Sequence, residues 1–132
     1  MKIWKKSEKH WHTPLKGSDR PLRRLLVCRP DRLGDMVITT SCLEPLRRCL
    51  PDVHLTFAVR DAFLPLLRGN PHVDELLGIP AGAQVQELCA SWEGKTWDAV
   101  AHLNPDPVME EVSQQTGVPI RVGYSRGKRE RL

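Results

Sequence analysis

Leu25-Leu26-Val27-Cys28-Arg29-Pro30-Asp31-Arg32-Leu33-Gly34-Asp35-Met36, residues 25–36, joins two patterns of different period. Leu25 to Arg29 is a continuous apolar run that enters a turn containing proline and glycine, the mark of a strand buried on both faces. Beyond the turn, Met36, Leu43, Leu46 and Leu50 follow at spacings of 7, 3 and 4, which puts them on one face of a helix. A strand followed by a helix is therefore the opening unit. Pro45 falls inside the helical pattern, so the helix is expected to kink or restart near Glu44.

The same alternation continues outward. Val53 to Val59 reads as a strand, Asp61 stands where it can cap the next helix, and Gly69 can end that helix. Glu75 to Ile79 is a third strand, Val85 to Trp92 a helix closed by Gly94, and Trp97 to Leu103 a fourth strand. Asp106-Pro107 starts a further helix that Gly117 ends, and Ile120 to Tyr124 is the last strand. The connections are too long for hairpins. Residues 25–125 are therefore expected to form an α/β, Rossmann-like domain: a parallel sheet of about five strands, wound right-handedly, with helices on both faces.

A chain of 132 residues and 15.0 kDa is one domain's worth. No stretch reaches the ~18 consecutive apolar residues of a membrane span, and no secretory block opens the chain, so a cytoplasmic product is expected. Charge is unevenly spread. Residues 1–24 hold 8 basic against 2 acidic side chains, residues 25–120 hold 7 against 13, and residues 121–132 hold 5 against 1. The basic surplus thus sits on segments 1–24 and 126–132, both read as flexible tails, and not on a folded face, which argues against a specific nucleic-acid partner. In the first segment, Ile3, Trp4 and Trp11 among lysines could also form a short helix resting on an anionic membrane surface. Cys28, Cys42, Cys49 and Cys89 make no C-x-x-C pair and are expected to be reduced, with Cys42 and Cys49 packed on one helix face. His54 and His102 fall in strands and are expected to be satisfied structural histidines.

In an open parallel sheet, ligands bind beyond the carboxyl ends of the strands. The first such position here is residues 29–35, where Gly34 permits a tight turn or close approach of a ligand and Asp35 lands at a helix N-terminus. By position alone Asp35 is a cap before it is a catalytic carboxylate. There is neither a G-x-G-x-x-G after a strand nor a Walker lysine.

Arg29 to Thr40, then Leu46-Arg47-Arg48, Pro51-Asp52, Val59-Arg60 and Gly69-Asn70-Pro71-His72-Val73-Asp74-Glu75, with the later Trp97-Asp98-Ala99-Val100 and Ile120 to Tyr124, together resemble the start of glycosyltransferase family 9, the ADP-heptose:lipopolysaccharide heptosyltransferases. The resemblance implies the N-terminal, acceptor-side half of a two-domain GT-B architecture, a metal-independent inverting reaction, and Asp35 as general base. It also implies Arg32, Gly34 and Arg60 on the acceptor side, a lipid A/Kdo-type acceptor met at the inner membrane surface, and ADP-heptose as donor to the full-length protein, with no cofactor. Ser41 stands where members commonly carry proline, and the segment Asp106 to Gly117 is compressed relative to the family pattern. Because the chain stops at Leu132, before the first half would be complete, a truncated or split product is expected that catalyses little alone and pairs with a missing C-terminal half or with itself. The other class left open is a non-catalytic α/β binding module for a lipopolysaccharide precursor or partner chain.

Overall fold

The computed structural model describes residues 21–123; the expected tails lie almost wholly outside the described residues. Five strands appear: β1 (Arg24–Cys28), β2 (His54–Arg60), β3 (Glu75–Ile79), β4 (Ala99–His102) and β5 (Ile120–Val122). The helices are α1 (Leu33–Thr39), α2 (Leu43–Cys49), α3 (Leu64–Leu67), α4 (Val85–Ser91) and α5 (Pro107–Gln115), with 3-10 turns at Thr40–Cys42 and Asp61–Phe63. All pairings are parallel and the strand order is β3-β2-β1-β4-β5, so the expected Rossmann-like sheet forms.

Alternation along β1 divides the core in two. Leu25 and Val27 face Met36, Leu43 and Phe57 under α1, α2 and α3, while Leu26 and Cys28 face Leu88, Trp92 and Met109 under α4 and α5. Trp92 and Trp97 meet edge to face, their centroids 5.0 Å apart, and the buried Trp97 indole donates to Thr56 Oγ1. Burial pushes the Cys28 thiol far up, with Asp106 acting in the same direction, so that sulfur is a packing group.

The break between α1 and α2 has a local cause. Thr39 Oγ1, Thr40 Oγ1 and Ser41 Oγ donate to the carbonyls of Asp35, Val37 and Ile38, back-bonds that bend a helix. The chain restarts at Leu43, which puts Pro45 in the first turn of α2, where a missing N–H costs nothing. Asp61, in contrast, does not cap: it begins the 3-10 turn with Arg60 before it, and no side-chain cap bond forms. That turn lies hard against β3. A Cβ on Gly78 would come within 3.0 Å of Asp61 Cβ and 2.9 Å of Leu64 Cδ1, so only glycine lets the turn carrying Arg60 sit down on the sheet.

Several residues that carry the sequence resemblance fasten the amino ends of the strands. Asp98 Oδ2 accepts from the N–H groups of Arg23 and Arg24, both at 2.8 Å. Arg47 donates to the carbonyls of Val53 (2.6 Å) and His72 (3.0 Å), and its Nη2 lies 2.6 Å from Asp74 Oδ2, which also accepts from Leu55 N at 2.7 Å. One arginine thus ties α2, β2 and the lead-in to β3 together. Burial raises the Asp74 pKa, but the Leu55 N–H and Arg47 outweigh it and hold the carboxyl below the ordinary aspartate range.

Because that folded-state value is depressed, the contribution of Asp74 is present above the unfolded value of about 3.9 and is lost as pH falls through it and below. Asp74→Asn should therefore cost about 1 kcal/mol in denaturant unfolding at pH 7, the low end for bonds to a charged group because water screens a carboxylate that is 42% exposed. The difference from wild type should shrink near pH 3.

Candidate functional site

The helices after β1 and after β4 lie on opposite faces of the sheet, so a crevice opens at the carboxyl edge between the loop 29–32 and the loop 103–106. Arg29 spans it. Its guanidinium, only 17% exposed, donates through Nη1 to the Leu103 carbonyl, lies 3.1 Å from Asp31 Oδ1 through Nε, and 3.6 Å from Asp35 Oδ1 through Nη2. The Nε–Asp31 contact is an ion pair without hydrogen-bond alignment.

Asp35 is the third residue of α1 and does not cap it; the cap position belongs to Arg32, which has extended backbone and no side-chain cap bond. The Asp35 carboxylate is 43% exposed, neither buried nor free, and its ion-pair partner is Arg29. Arg29 was missed by the sequence reading, which weighed the loop for a base and a glycine; a cation ending a buried strand was the signal. Gly34 takes no left-handed conformation, so no tight turn requires it, and an added Cβ would meet nothing within 4 Å. Its space is open. Arg32 is exposed, as is Arg60, whose Nε donates to the Pro30 carbonyl at 3.3 Å and so joins the end of β2 to the β1–α1 loop.

Beside these residues is a cavity of about 150 Å³ lined by Pro30, Arg60, Pro80, Gly82, Asp106 and Met109, among others. Arg60 belongs to it; Arg32, Gly34 and Asp35 do not. Asp106 caps α5, its Oδ1 accepting from the N–H groups of Val108 and Met109, as its place before Pro107 predicts. Buried side-chain atoms without a hydrogen-bond partner among the described residues gather here: Arg29 Nε, Asp31 Oδ1, His102 Nδ1 and Asn104 Oδ1, with only His54 Nδ1 and Trp92 Nε1 elsewhere. His102 is thus half satisfied, through Nε2 and Ser113 Oγ at 3.1 Å, and His54 is not satisfied at Nδ1. Cys42 and Cys49 are exposed, contrary to expectation, because the 3-10 turn breaks their common helix face. Among the described residues no group of His, Cys, Asp or Glu could hold a metal, and no helix is long and apolar enough to cross a membrane.

This edge-of-sheet geometry can be set beside known structures. A solved structure of the glycosyl transferase family 9 from Veillonella parvula superposes with a TM-score of 0.70, at 23% identity, over 81% of this chain and 34% of that one. The fold is that of a family 9 glycosyl transferase. The chain spans about a third (34%) of the length of that family 9 structure. Neither the family models nor the curated proteins give a match. The glycosyltransferase-like fold thus puts the crevice, with Arg29 and Asp35, at the carboxyl edge of a Rossmann-like unit.

Two measurements follow. Gly34→Ala, with space for the methyl and an ordinary helical backbone, should raise stability by about 0.5 kcal/mol in denaturant unfolding. Burial lowers the His102 pKa and Arg121 adds to this, with Asp106 opposing. The depressed folded value means that stability held above the unfolded value of about 6.5 is lost as pH falls through it. A midpoint falling between pH 7 and pH 5, and falling less in His102→Gln, is the expected result.

Proposed function

We propose that the described domain is the acceptor-side half of a heptosyltransferase-like glycosyltransferase, which transfers heptose from ADP-heptose to a lipid A/Kdo-type acceptor with inversion. The observation carrying this reading is the half-exposed Asp35 carboxylate, set at the carboxyl edge beside Arg29 and next to the open space over Gly34. In this reading Asp35 takes the proton from an acceptor hydroxyl as that oxygen attacks the anomeric carbon. The new C–O bond forms on the face opposite the breaking bond to phosphate, and ADP leaves. A carboxylate is a weak base, so it helps most when the proton departs late, after the sugar–phosphate bond has begun to break. Arg32 and Arg60 pair with acidic groups of the acceptor, and the acceptor passes over Gly34.

A base and an acceptor site hold one side of a reaction whose rate depends on orienting two substrates. Acceptor binding is therefore proposed for the described residues, which correspond to about a third (34%) of the family 9 structure, and full turnover for a protein in which a donor-binding half faces them. Such an enzyme would work in the cytoplasm at the inner membrane surface, where its acceptor is anchored. The alternative is a non-catalytic binding module for the same precursor or a partner chain, which would keep the acceptor contacts and have no use for the Asp35 charge.

The test is titration of the purified chain with soluble, deacylated Kdo–lipid A saccharide, followed by amide NMR, together with ADP release from ADP-heptose in its presence. Shifts confined to Arg32–Asp35, Arg60 and their neighbours are expected. Any ADP release should fall about 10²–10⁴-fold in Asp35→Asn while saccharide affinity changes little. Absence of saccharide binding, or shifts at the amino edge of the sheet, would overturn the assignment.

A further inference from the structure

The cavity that Arg60 lines takes its walls from the exits of β1, β2 and β3 and from the start of α5. Buried Ile79, Leu88 and Met109 give it an apolar base, and exposed Arg60, Pro80 and Ala81 stand at its mouth, so solvent and solutes reach it. One wall is backbone: the Ala83 N–H donates to the Pro80 carbonyl at 3.2 Å, closing a turn in which Gly82 takes a φ of 71°.

The charged groups on this space have bonding capacity left. Arg60 donates only through Nε, to the Pro30 carbonyl, and Asp106 accepts from the start of α5 only through Oδ1. Among the described residues, no ion pair joins the two or ties either to another side chain. We propose that the cavity binds one sugar acid, whose carboxylate pairs with the Arg60 Nη groups and whose hydroxyl donates to Asp106 Oδ2. The charge pattern selects this class. A phosphate suits Arg60 but meets the Asp106 charge, a metal cation meets the reverse, and an apolar ligand strands both groups. A hydroxylated carboxylate satisfies both and lays its C–H face on the apolar base. The volume, about 150 Å³, takes one ring; sites for drug-sized ligands begin near ~300 Å³. This goes beyond the acceptor-side reading, which uses Arg60 but neither the cavity nor Asp106.

The experiment is amide NMR titration of the purified chain with glucuronate, with methyl glucoside, which lacks the acid, and with cyclohexanecarboxylate, which lacks the hydroxyls. Glucuronate should bind at least tenfold tighter than either, with shifts at Arg60, Ala81–Ala83, Val108 and Met109. Arg60→Gln should abolish the preference over methyl glucoside. Asp106→Asn, which keeps a good helix cap, should cut the preference over cyclohexanecarboxylate at least threefold. Ala81→Phe, at an exposed position on the mouth, should block binding without lowering Tm. Equal affinity for the three probes, shifts elsewhere, or a preference indifferent to Asp106→Asn would overturn the proposal. Deacylated Kdo–lipid A saccharide that displaces glucuronate identifies the acceptor as the source of the acid. A saccharide that does not bind, while glucuronate does, overturns the acceptor reading and leaves the cavity as a site for a free sugar acid.

Discussion

Strand β1 is hydrogen-bonded along both edges, to β2 and to β4, and covered on both faces, so every other element is placed relative to it. Leu26 and Cys28 are completely buried and Val27 nearly so. From Leu25 to Cys28 the strand carries only apolar side chains on both faces, and the first polar one follows where it leaves the sheet. Arg29 is that residue. Its largely buried cation must be paired where the strand ends, and its pairing with Asp31 and Asp35 and its bond to the Leu103 carbonyl join the two loops that bound the crevice.

The described strands, their order of appearance and their approximate limits were legible from the alternation of buried runs with helical spacing, because period and glycine stops are local signals. β4 proved shorter than the span Trp97 to Leu103, since Trp97 turns its indole into the core toward Thr56 and Asp98 spends its carboxylate on the start of β1. The restart before Pro45 was visible; the reason for it, three hydroxyls bonding back to α1, was not, because Thr and Ser occupy helices without breaking them as often as they bend them.

The candidate site was legible in part. Asp35 and Arg60 lie at the carboxyl edge as the loop sequence implied, yet Asp35 is paired and not a cap, and Gly34 is free of any backbone need for glycine. Arg29 was legible only as a cation ending a buried strand; its bond to the Leu103 carbonyl, 74 residues away, is a contact that sequence spacing does not record. The motif around Asn70 to Glu75, part of the family resemblance, turned out to hold the sheet together through Arg47 and Asp74.

The fastening network of Arg47, Asp74 and Asp98 closes the amino edge, whereas Arg29, Asp35 and Arg60 occupy the opposite rim. The strand fastenings and the residues proposed for recognition are thereby quartered at separate poles of one small sheet. Descendants of such a scaffold can remodel the ligand-facing loops and sample new specificities, while the distant lashings keep the strands in register.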